Sequence, residues 1–285
     1  MGTPAPRLPA SLRNEWRREP EWLDALPGLA AECAAAWGLE LEEPYETPLS
    51  LVVPAGDAVL KLNAPSHFEA DHEADALARW GDHGAVRLLA RDDERRALLV
   101  ERCVPGTPLA VSGEDETAVI VDVLARLPHD PGPAHPFRRL ADEAERWSAE
   151  VPERYERGGR PFERTLLDAA VDVFRSVDPD ADHLVNQDLH AWNILRATRE
   201  PWLAIDPKPL VGEPELGGVG PLRNAGLSRA GAAVTRTLDA LADLGLDRER
   251  LHGLGYAHAL AWAVDSDGEW SADSIEAART IHAAA

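Results

Sequence analysis

Apolar residues in the first hundred positions follow two different spacings. Between residues 19 and 39 they recur three and four positions apart, which predicts a helix with one buried stripe. Two short apolar runs at 49–53 and 58–62 are separated by turn-forming residues and predict a β-hairpin. A helix at 68–80 and two further strands at 86–90 and 97–103 follow by the same criteria. The predicted order is helix, hairpin, helix, hairpin.

The second part of the chain has a different composition, rich in Ala, Leu and Arg at helical spacing. Three short strand-like pieces with a polar loop among them lie between Leu184 and Ile205. Residues 212–226 are rich in Gly and Pro, and we expect them to form a long loop. Helices are predicted at 117–127, 140–150, 161–177 and from residue 228 onward. This half is therefore mostly helical.

The composition is that of a folded globular protein with an acidic surface. Hydrophobic residues make up 45% of the 285 positions and charged residues 28%, with a formal net charge of −21. Nucleic acids and anionic lipid surfaces attract proteins through Lys and Arg clusters, so neither is expected as a partner. A cationic substrate would suit this charge, although an acidic surface that maintains solubility is its commoner cause.

The low cysteine content and the N-terminal sequence predict a protein of a reducing compartment. Cys33 and Cys103 are too few for a disulfide framework and have no ligand spacing for zinc. The N-terminal residues lack the apolar core of a signal peptide, and no apolar run approaches the roughly 18 residues of a membrane span. We expect a cytoplasmic protein.

Candidate chemistry concentrates in the stretch N-Q-D-L-H-A-W-N at 186–193, followed after a strand by I-D-P at 205–207. Phosphoryl transfer to a hydroxyl needs a carboxylate that accepts or orients the attacking O–H group, and Asp188 can supply it. Asn193 offers a neutral oxygen and Asp206 a charged one to Mg²⁺. Three such positions match the spacing of a kinase catalytic loop and its metal-binding Asp. The alternative to a catalytic or metal-binding role is a structural one, in which each of these residues forms a turn or caps local backbone groups.

Lys61 lies in the second predicted strand, and Lys208 is the only other lysine. A compact ammonium on a strand suits the α and β phosphates of ATP, and a Glu on the following helix would hold it in place. Glu73 is the candidate, with Glu69 one turn earlier as the alternative. An exposed lysine on an edge strand is the structural alternative for Lys61.

The segment 185–213, with D-L-H-A-W-N, P-W-L-A-I-D-P-K-P and V-G-E-P, resembles streptomycin 6-phosphotransferases and the related aminoglycoside and hydroxyurea kinases. Weaker similarity extends over residues 15–265, including L-V-V-P at 51–54 and L-V-E-R at 99–102. The resemblance implies a bilobal, protein-kinase-like α+β fold. A β-rich N-lobe with an antiparallel sheet at 1–103 would bind nucleotide. A mostly helical C-lobe at 104–285 would carry the catalytic loop and the substrate.

The same resemblance implies roles for individual residues. Asp188 becomes the catalytic base, Asn193 and Asp206 the Mg²⁺ ligands, and Lys61 the lysine on the phosphates of ATP. The hinge that meets the adenine edge would fall at 101–104. Glu101 and Cys103 are therefore expected at the cofactor, mainly through their backbone groups.

Several positions depart from the family pattern, and two of them bear most on activity. Asn186 stands where relatives usually have a His two residues before the catalytic Asp. After Glu215, relatives commonly show an aromatic residue and an Asp, whereas this chain has Leu216 and Gly217. These departures indicate a specialised or a catalytically impaired member.

The favoured function is phosphorylation of a cationic aminoglycoside such as streptomycin, with ATP and Mg²⁺, by a monomer or weak homodimer. A metabolic kinase for an amino sugar or sugar would show the same phosphate machinery. A nucleotide-binding pseudokinase is a third alternative. A metallohydrolase built on His183, His190 and Asp188 is disfavoured, because their spacing is not that of a zinc site.

Overall fold

A computed structural model describes residues 6–264 and 268–284 of the chain. The chain divides into two compact units. The first unit comprises Met1–Gly106 and Arg196–Asp206, and the second comprises Thr107–Leu195 and Pro207–Ala285. Each is described separately below.

The first unit is built on a four-stranded antiparallel sheet with the order β1-β2-β4-β3. Its strands are β1 (Ser50–Ala55), β2 (Ala58–Asn63), β3 (Leu88–Asp92) and β4 (Ala97–Glu101). Lys61 pairs with Val52 on one side and with Leu98 on the other. Lys61 therefore lies on an interior strand, which removes the alternative of an exposed edge-strand lysine.

Three helices accompany this sheet: α1 (Ala10–Glu15), α2 (Pro20–Trp37) and α3 (Glu73–Trp80). Pro20 opens α2, and Gly38, at φ 67°, ends it in the left-handed conformation that favours glycine. The buried stripe of α2 packs with Leu51, Leu60 and Leu62 of the sheet in one apolar core. The predicted stripe at 19–39 is thus confirmed.

The predicted helix at 68–80 is correct only in its second half. Phe68–Ala70 forms a single 3₁₀ turn, Asp71 is extended, and His72 has a left-handed φ of 63°. A continuous α-helix cannot contain these two conformations, so α3 begins at Glu73. The interruption places Glu73 in the first turn of α3.

The second unit is mostly helical, as the sequence predicts. Two short strands of this unit, β5 (His183–Asn186) and β8 (Pro209–Gly212), pair antiparallel, whereas β7 (Trp202–Ala204) belongs to the first unit and β6 (Ile194–Arg196) crosses the sequence boundary between the units. The helices are α4 (Glu116–Arg126), α5 (Leu140–Arg157), α6 (Arg164–Arg175), α7 (Val219–Leu227), α8 (Gly231–Ala242), α9 (Arg248–Ala261) and α10 (Ala272–His282). Helix α9 is buried along much of its length and packs against α6, α7 and α10.

The expected long loop at 212–226 is wrong, because a 3₁₀ turn (Pro214–Gly218) runs directly into α7. Its glycines serve close packing. A Cβ on Gly220 would lie 2.6 Å from the Leu189 carbonyl oxygen, and one on Gly226 would lie 2.8 Å from the Ala277 carbonyl oxygen. Glycine-rich composition here reflects backbones in contact, which a side chain would separate.

The two cysteines are free thiols, which agrees with the absence of a disulfide framework in the prediction. Cys33 is buried and Cys103 half-buried. Burial raises the pKa of Cys33, and it raises the pKa of Cys103 to about 12. Among the helices of residues 6–264 and 268–284, none combines the length and apolarity that crossing a bilayer requires.

Candidate active site

Lys61 and Glu73 form a buried ion pair inside the first unit. The Lys61 ammonium donates to both carboxylate oxygens of Glu73 at 2.7 Å, and the two residues are 7% and 2% exposed. Glu69, the alternative partner, approaches His67 instead, at 4.0 Å. Strand β2 supplies the lysine and the first turn of α3 supplies the glutamate, where the helix dipole also favours a carboxylate.

A chain of hydrogen bonds fixes the Glu73 carboxylate. Asn63 Nδ2 donates to Glu73 Oε2 at 3.0 Å, and Ser50 Oγ donates to Asn63 Oδ1 at 2.6 Å. Burial alone would lower the pKa of Lys61, but the charges of Asp206 and Glu73 outweigh it and raise that pKa. Lys61 therefore remains an ammonium ion at neutral pH.

Asp206 completes the charged cluster of the first unit. Its Oδ1 accepts a hydrogen bond from Lys61 Nζ at 2.6 Å. Its backbone has a left-handed φ of 50°, which is uncommon for a residue with a side chain and occurs often at functional sites. Lys61, Glu73 and Asp206 are thus brought together by elements far apart in the sequence.

In the second unit, the carboxylate of Asp188 is buried and contacts several charged or polar side chains. Asp188 is 5% exposed and follows β5 by two residues. Its Oδ1 accepts a hydrogen bond from Arg223 Nη2, and Lys208 Nζ lies 3.3 Å from its Oδ2. His190 Nε2 lies 3.6 Å from Oδ1. Two cations that the motif alone did not indicate therefore contact the predicted catalytic residue.

Asn193 stands beside Asp188, as the five-residue spacing predicts. Its Nδ2 donates to the Asp188 backbone oxygen at 3.1 Å and lies 3.3 Å from Asp188 Oδ2. The amide nitrogen thus faces Asp188, which leaves the amide oxygen as the atom that suits a hard cation such as Mg²⁺. Asn193 belongs to the second unit and Asp206 to the first. Each offers the oxygen chemistry that Mg²⁺ prefers.

No zinc-type cluster supports the metallohydrolase alternative. Within residues 6–264 and 268–284, no three His, Cys, Asp or Glu side chains are arranged to hold a metal ion. His183 packs near His129, with ring centroids 6.5 Å apart.

Asn186 stabilises the loop around Asp188 through hydrogen bonds of its side chain. Its side-chain oxygen accepts backbone N–H groups from Asp188 and from Lys208, each at 3.1 Å. The Asn186 side chain therefore links the predicted catalytic residue to the segment after β7. That Asn186 marks a specialised or catalytically impaired member stays a prediction.

Comparison with known proteins now decides the family. The sequence model of the aminoglycoside/hydroxyurea antibiotic resistance kinases matches residues 40–274. The chain belongs to this kinase family.

Relatives and solved structures agree with that assignment. The chain is 36% identical to a streptomycin 6-kinase of Streptomyces glaucescens, over 91% of this chain and 89% of the relative. It is also 36% identical to a hydroxyurea phosphotransferase of Kitasatospora aureofaciens, over 93% and 81%. The crystal structure of the choline kinase LicA from Streptococcus pneumoniae superposes with a TM-score of 0.64 at 11% identity, covering 90% of this chain and 99% of that one. The predicted protein-kinase-like α+β fold and phosphotransferase class are confirmed.

The two residues expected at the adenine edge of this kinase have side chains engaged elsewhere or buried. Glu101 is held by Arg199, whose Nη2 donates to Glu101 Oε2 at 2.9 Å. The Glu101 backbone N–H donates to Arg87 at 2.9 Å. Cys103 is half-buried, and its thiol is protonated at neutral pH because desolvation raises its pKa to about 12. Their contribution to nucleotide binding stays a prediction that concerns the backbone.

Two acidic residues next to the kinase motif are parts of the scaffold. Glu213 accepts hydrogen bonds from the Arg250 guanidinium and, at 2.6 Å, from the Asp178 backbone. Glu215 accepts the Asp247 backbone N–H at 3.0 Å. Both carboxylates are committed to these contacts, whereas the nearby Trp192 is 57% exposed.

Behind the catalytic loop of the kinase lies a buried polar contact. His258 Nε2 donates to Gln187 Oε1 at 3.1 Å, and both residues are buried. Burial, with a smaller contribution from the Arg223 charge, lowers the pKa of His258 well below its usual range. Trp147 and Trp262 enclose the imidazole, with ring centroids 5.6 and 4.6 Å away. His258 is therefore a neutral support for the residue before Asp188.

Proposed function

We propose that the protein transfers the γ-phosphoryl group of ATP to a hydroxyl of an aminoglycoside such as streptomycin. The observation that best supports this function is the position of the Lys61 ammonium. It is buried on an interior strand and donates hydrogen bonds to both carboxylate oxygens of Glu73. In protein-kinase-like folds, a strand lysine held by a helix glutamate binds the phosphates of ATP. Burying an ion pair costs desolvation free energy, and a role in binding a ligand would account for that cost.

The other site residues take complementary roles in the proposed reaction. Asp188 orients the acceptor hydroxyl and takes its proton as the oxygen attacks the γ-phosphorus. Asn193 and Asp206 would hold Mg²⁺, which neutralises phosphate charge when bound. The backbone of residues 101–104 would meet the adenine edge.

A cavity in the second unit supports a cationic acceptor. It has a volume of about 530 Å³ and lies between the start of α4 and helices α7 and α8. Glu114, Asp115 and Glu116 line it together with a single cationic residue, Arg236. Asn224 donates to Glu116 at 2.8 Å, and Arg223, its neighbour on α7, contacts Asp188. The carboxylate-rich cavity thus adjoins the helix that reaches the catalytic residue.

Hydroxyurea is a second candidate acceptor, because one relative is named for its phosphorylation at the same 36% identity. A metabolic amino-sugar kinase would use the same phosphate machinery. The acceptor therefore has to be identified by measurement.

The decisive experiment follows ADP release with ATP and Mg²⁺ over a panel of streptomycin, other aminoglycosides, amino sugars, neutral sugars and hydroxyurea. We expect acceptor-dependent turnover with an aminoglycoside and a phosphate ester in the product by mass spectrometry. Asp188→Asn should lower kcat by about 10²–10⁴-fold. Asp168→Asn, an exposed partner of Arg164, is the matched control and should leave kcat unchanged.

Other outcomes would assign the alternatives. Turnover with neutral sugars alone would identify a metabolic kinase. Tight nucleotide binding without turnover of any acceptor would identify a pseudokinase and refute the proposed reaction.

A further inference from the structure

The loop that carries Asp188 also carries an exposed tryptophan. Trp192 is 57% exposed, whereas the other eight tryptophans of the chain are buried or partly buried. An indole gains free energy when its large apolar surface leaves water, so a tryptophan is seldom left in solvent. The exposure of Trp192 therefore calls for a ligand or partner that covers it.

Hydrogen bonds fix the backbone around Trp192. Its N–H donates to His190 Nδ1 at 3.2 Å, and the Asn193 N–H donates to the His190 carbonyl oxygen at 2.8 Å. Ala191, the preceding residue, is fully buried, and the side chain of Asn193, the following one, donates to the Asp188 backbone oxygen at 3.1 Å. The indole thus lies on the solvent side of a short turn that is held against the predicted catalytic residue.

A second exposed apolar side chain lies on a neighbouring turn. Val111 is 60% exposed, and it and Trp192 are the two most exposed large apolar side chains among residues 6–264 and 268–284. The 3₁₀ turn at 109–111 contacts the 3₁₀ turn at 191–193. Isolated apolar residues are ordinary at a protein surface, whereas neighbouring ones more often mark an interaction site.

The charge next to these turns indicates which ligand would cover them. Gly113 lines the acidic cavity only two residues after Val111, and the carboxylates at 114–116 follow it. The electron-rich face of an indole attracts ammonium and guanidinium groups more strongly than other aromatic faces do. The cavity and Trp192 both belong to the second unit, and both favour a ligand with positive charge.

We propose that Trp192, with Val111 beside it, stacks on a ring of the cationic acceptor and selects for rings that bear amino or guanidino groups, an inference that rests on the function proposed above. The acceptor hydroxyl has to reach Asp188, so the ring that carries it passes the turn at 191–193. The indole covers one face of that ring and attracts its cationic substituents. Trp192 therefore acts on the binding of the acceptor and not on the chemical step.

Steady-state kinetics with streptomycin test this role. Trp192→Ala should raise the KM for streptomycin about 3–30-fold, whereas kcat and the KM for ATP should change less than about twofold. Trp192→Phe should recover most of the affinity, because it keeps an aromatic face. Leu244→Ala is the matched control, because Leu244 is a 40% exposed apolar residue after the end of α8, and this variant should behave as wild type.

Acrylamide quenching of tryptophan fluorescence gives a readout that does not require turnover. Trp192→Phe should remove the most readily quenched part of the wild-type emission, since Trp192 is the exposed member of the nine tryptophans. Streptomycin should protect the same part of the emission in wild type and should leave quenching unchanged in Trp192→Phe. Circular dichroism and thermal unfolding verify that each variant is folded.

The outcomes separate this role from the proposed function. A folded Trp192→Ala variant with an unchanged KM for streptomycin, or wild-type quenching that streptomycin does not alter, overturns the stacking role alone. A raised KM for ATP in its place would assign the indole to the nucleotide and would overturn that role as well. So would a homodimer that Trp192→Ala dissociates in size-exclusion chromatography, because a second copy would then cover the indole. A wild-type protein that phosphorylates no acceptor refutes the function, and streptomycin protection that depends on Trp192 would then still show the binding surface.

Discussion

The Lys208 backbone N–H donates a 3.1 Å hydrogen bond to the side-chain oxygen of Asn186, across 22 positions of sequence. The same oxygen accepts the N–H of Asp188. One buried amide therefore sets the position of the predicted catalytic carboxylate and of the segment between β7 and β8 that carries Lys208. These two hydrogen bonds hold the loop without a histidine at this position.

Asn186→Ala should destabilise the protein and slow the reaction. The substitution leaves two buried N–H groups without an acceptor, at a cost of about 1–3 kcal/mol for each group. Urea unfolding gives the free energy, and kcat should fall because Asp188 loses its anchor. Equal stability and kcat in wild type and variant would show that other contacts fix the loop.

Lys61→Met should lose phosphotransfer and destabilise the first unit by about 3–5 kcal/mol, because a buried carboxylate is left without its partner. The double variant Lys61→Met/Glu73→Gln should recover much of this stability without recovering activity. In Lys61→Met, burial holds the pKa of Glu73 above its unfolded value of about 4.3. The folded state then binds more protons, so the penalty should grow as pH rises above that value.

His258 should make the protein sensitive to mild acid. Burial lowers its pKa in the folded state, so the unfolded chain takes up the proton first as pH falls below about 6.5. Stability should be complete above that pH and decline below it. His258→Gln should give a shallower decline of urea-unfolding free energy between pH 7 and 5. Part of the slope should remain, because burial also lowers the pKa of His129 and His252. An identical slope in the variant would mean that His258 does not titrate in this range.

Gly220→Ala should displace the catalytic loop. The new methyl group would lie 2.6 Å from the Leu189 carbonyl oxygen, a backbone atom that cannot move without its neighbours. We expect a loss of about 1–3 kcal/mol or more and a lower kcat. Gly28→Ala is the control, because it lies within α2 with no atom within 4 Å of the added Cβ. That variant should be as stable as wild type or gain up to about 1 kcal/mol.

The sequence correctly predicted those elements whose structure depends on the spacing of neighbouring residues. The first hairpin and the stripe of α2 follow from periodicity, and the contact of Lys61 with Glu73 follows from a lone strand lysine before a helix. The spacing of Asp188 and Asn193 likewise placed both in one loop.

The cations at Asp188 were missed because they depend on packing. Arg223 lies 35 positions after Asp188, on a helix whose glycines resemble those of a loop. Composition does not distinguish glycine that bends a chain from glycine that lets two backbones touch. Lys208 gave a weak signal, as the second of only two lysines in the chain.

Helix α7 carries positions with opposite tolerance to change. Gly220 and Arg223 fit tightly against the Leu189 carbonyl and the Asp188 carboxylate, so almost any replacement there damages the chemistry. Asn224 and Ala225 of the same helix line the roomy acidic cavity. If the cavity receives the acceptor as proposed, natural variation or directed evolution at Asn224 and Ala225 would change the choice of acceptor, while Gly220 and Arg223 stay fixed.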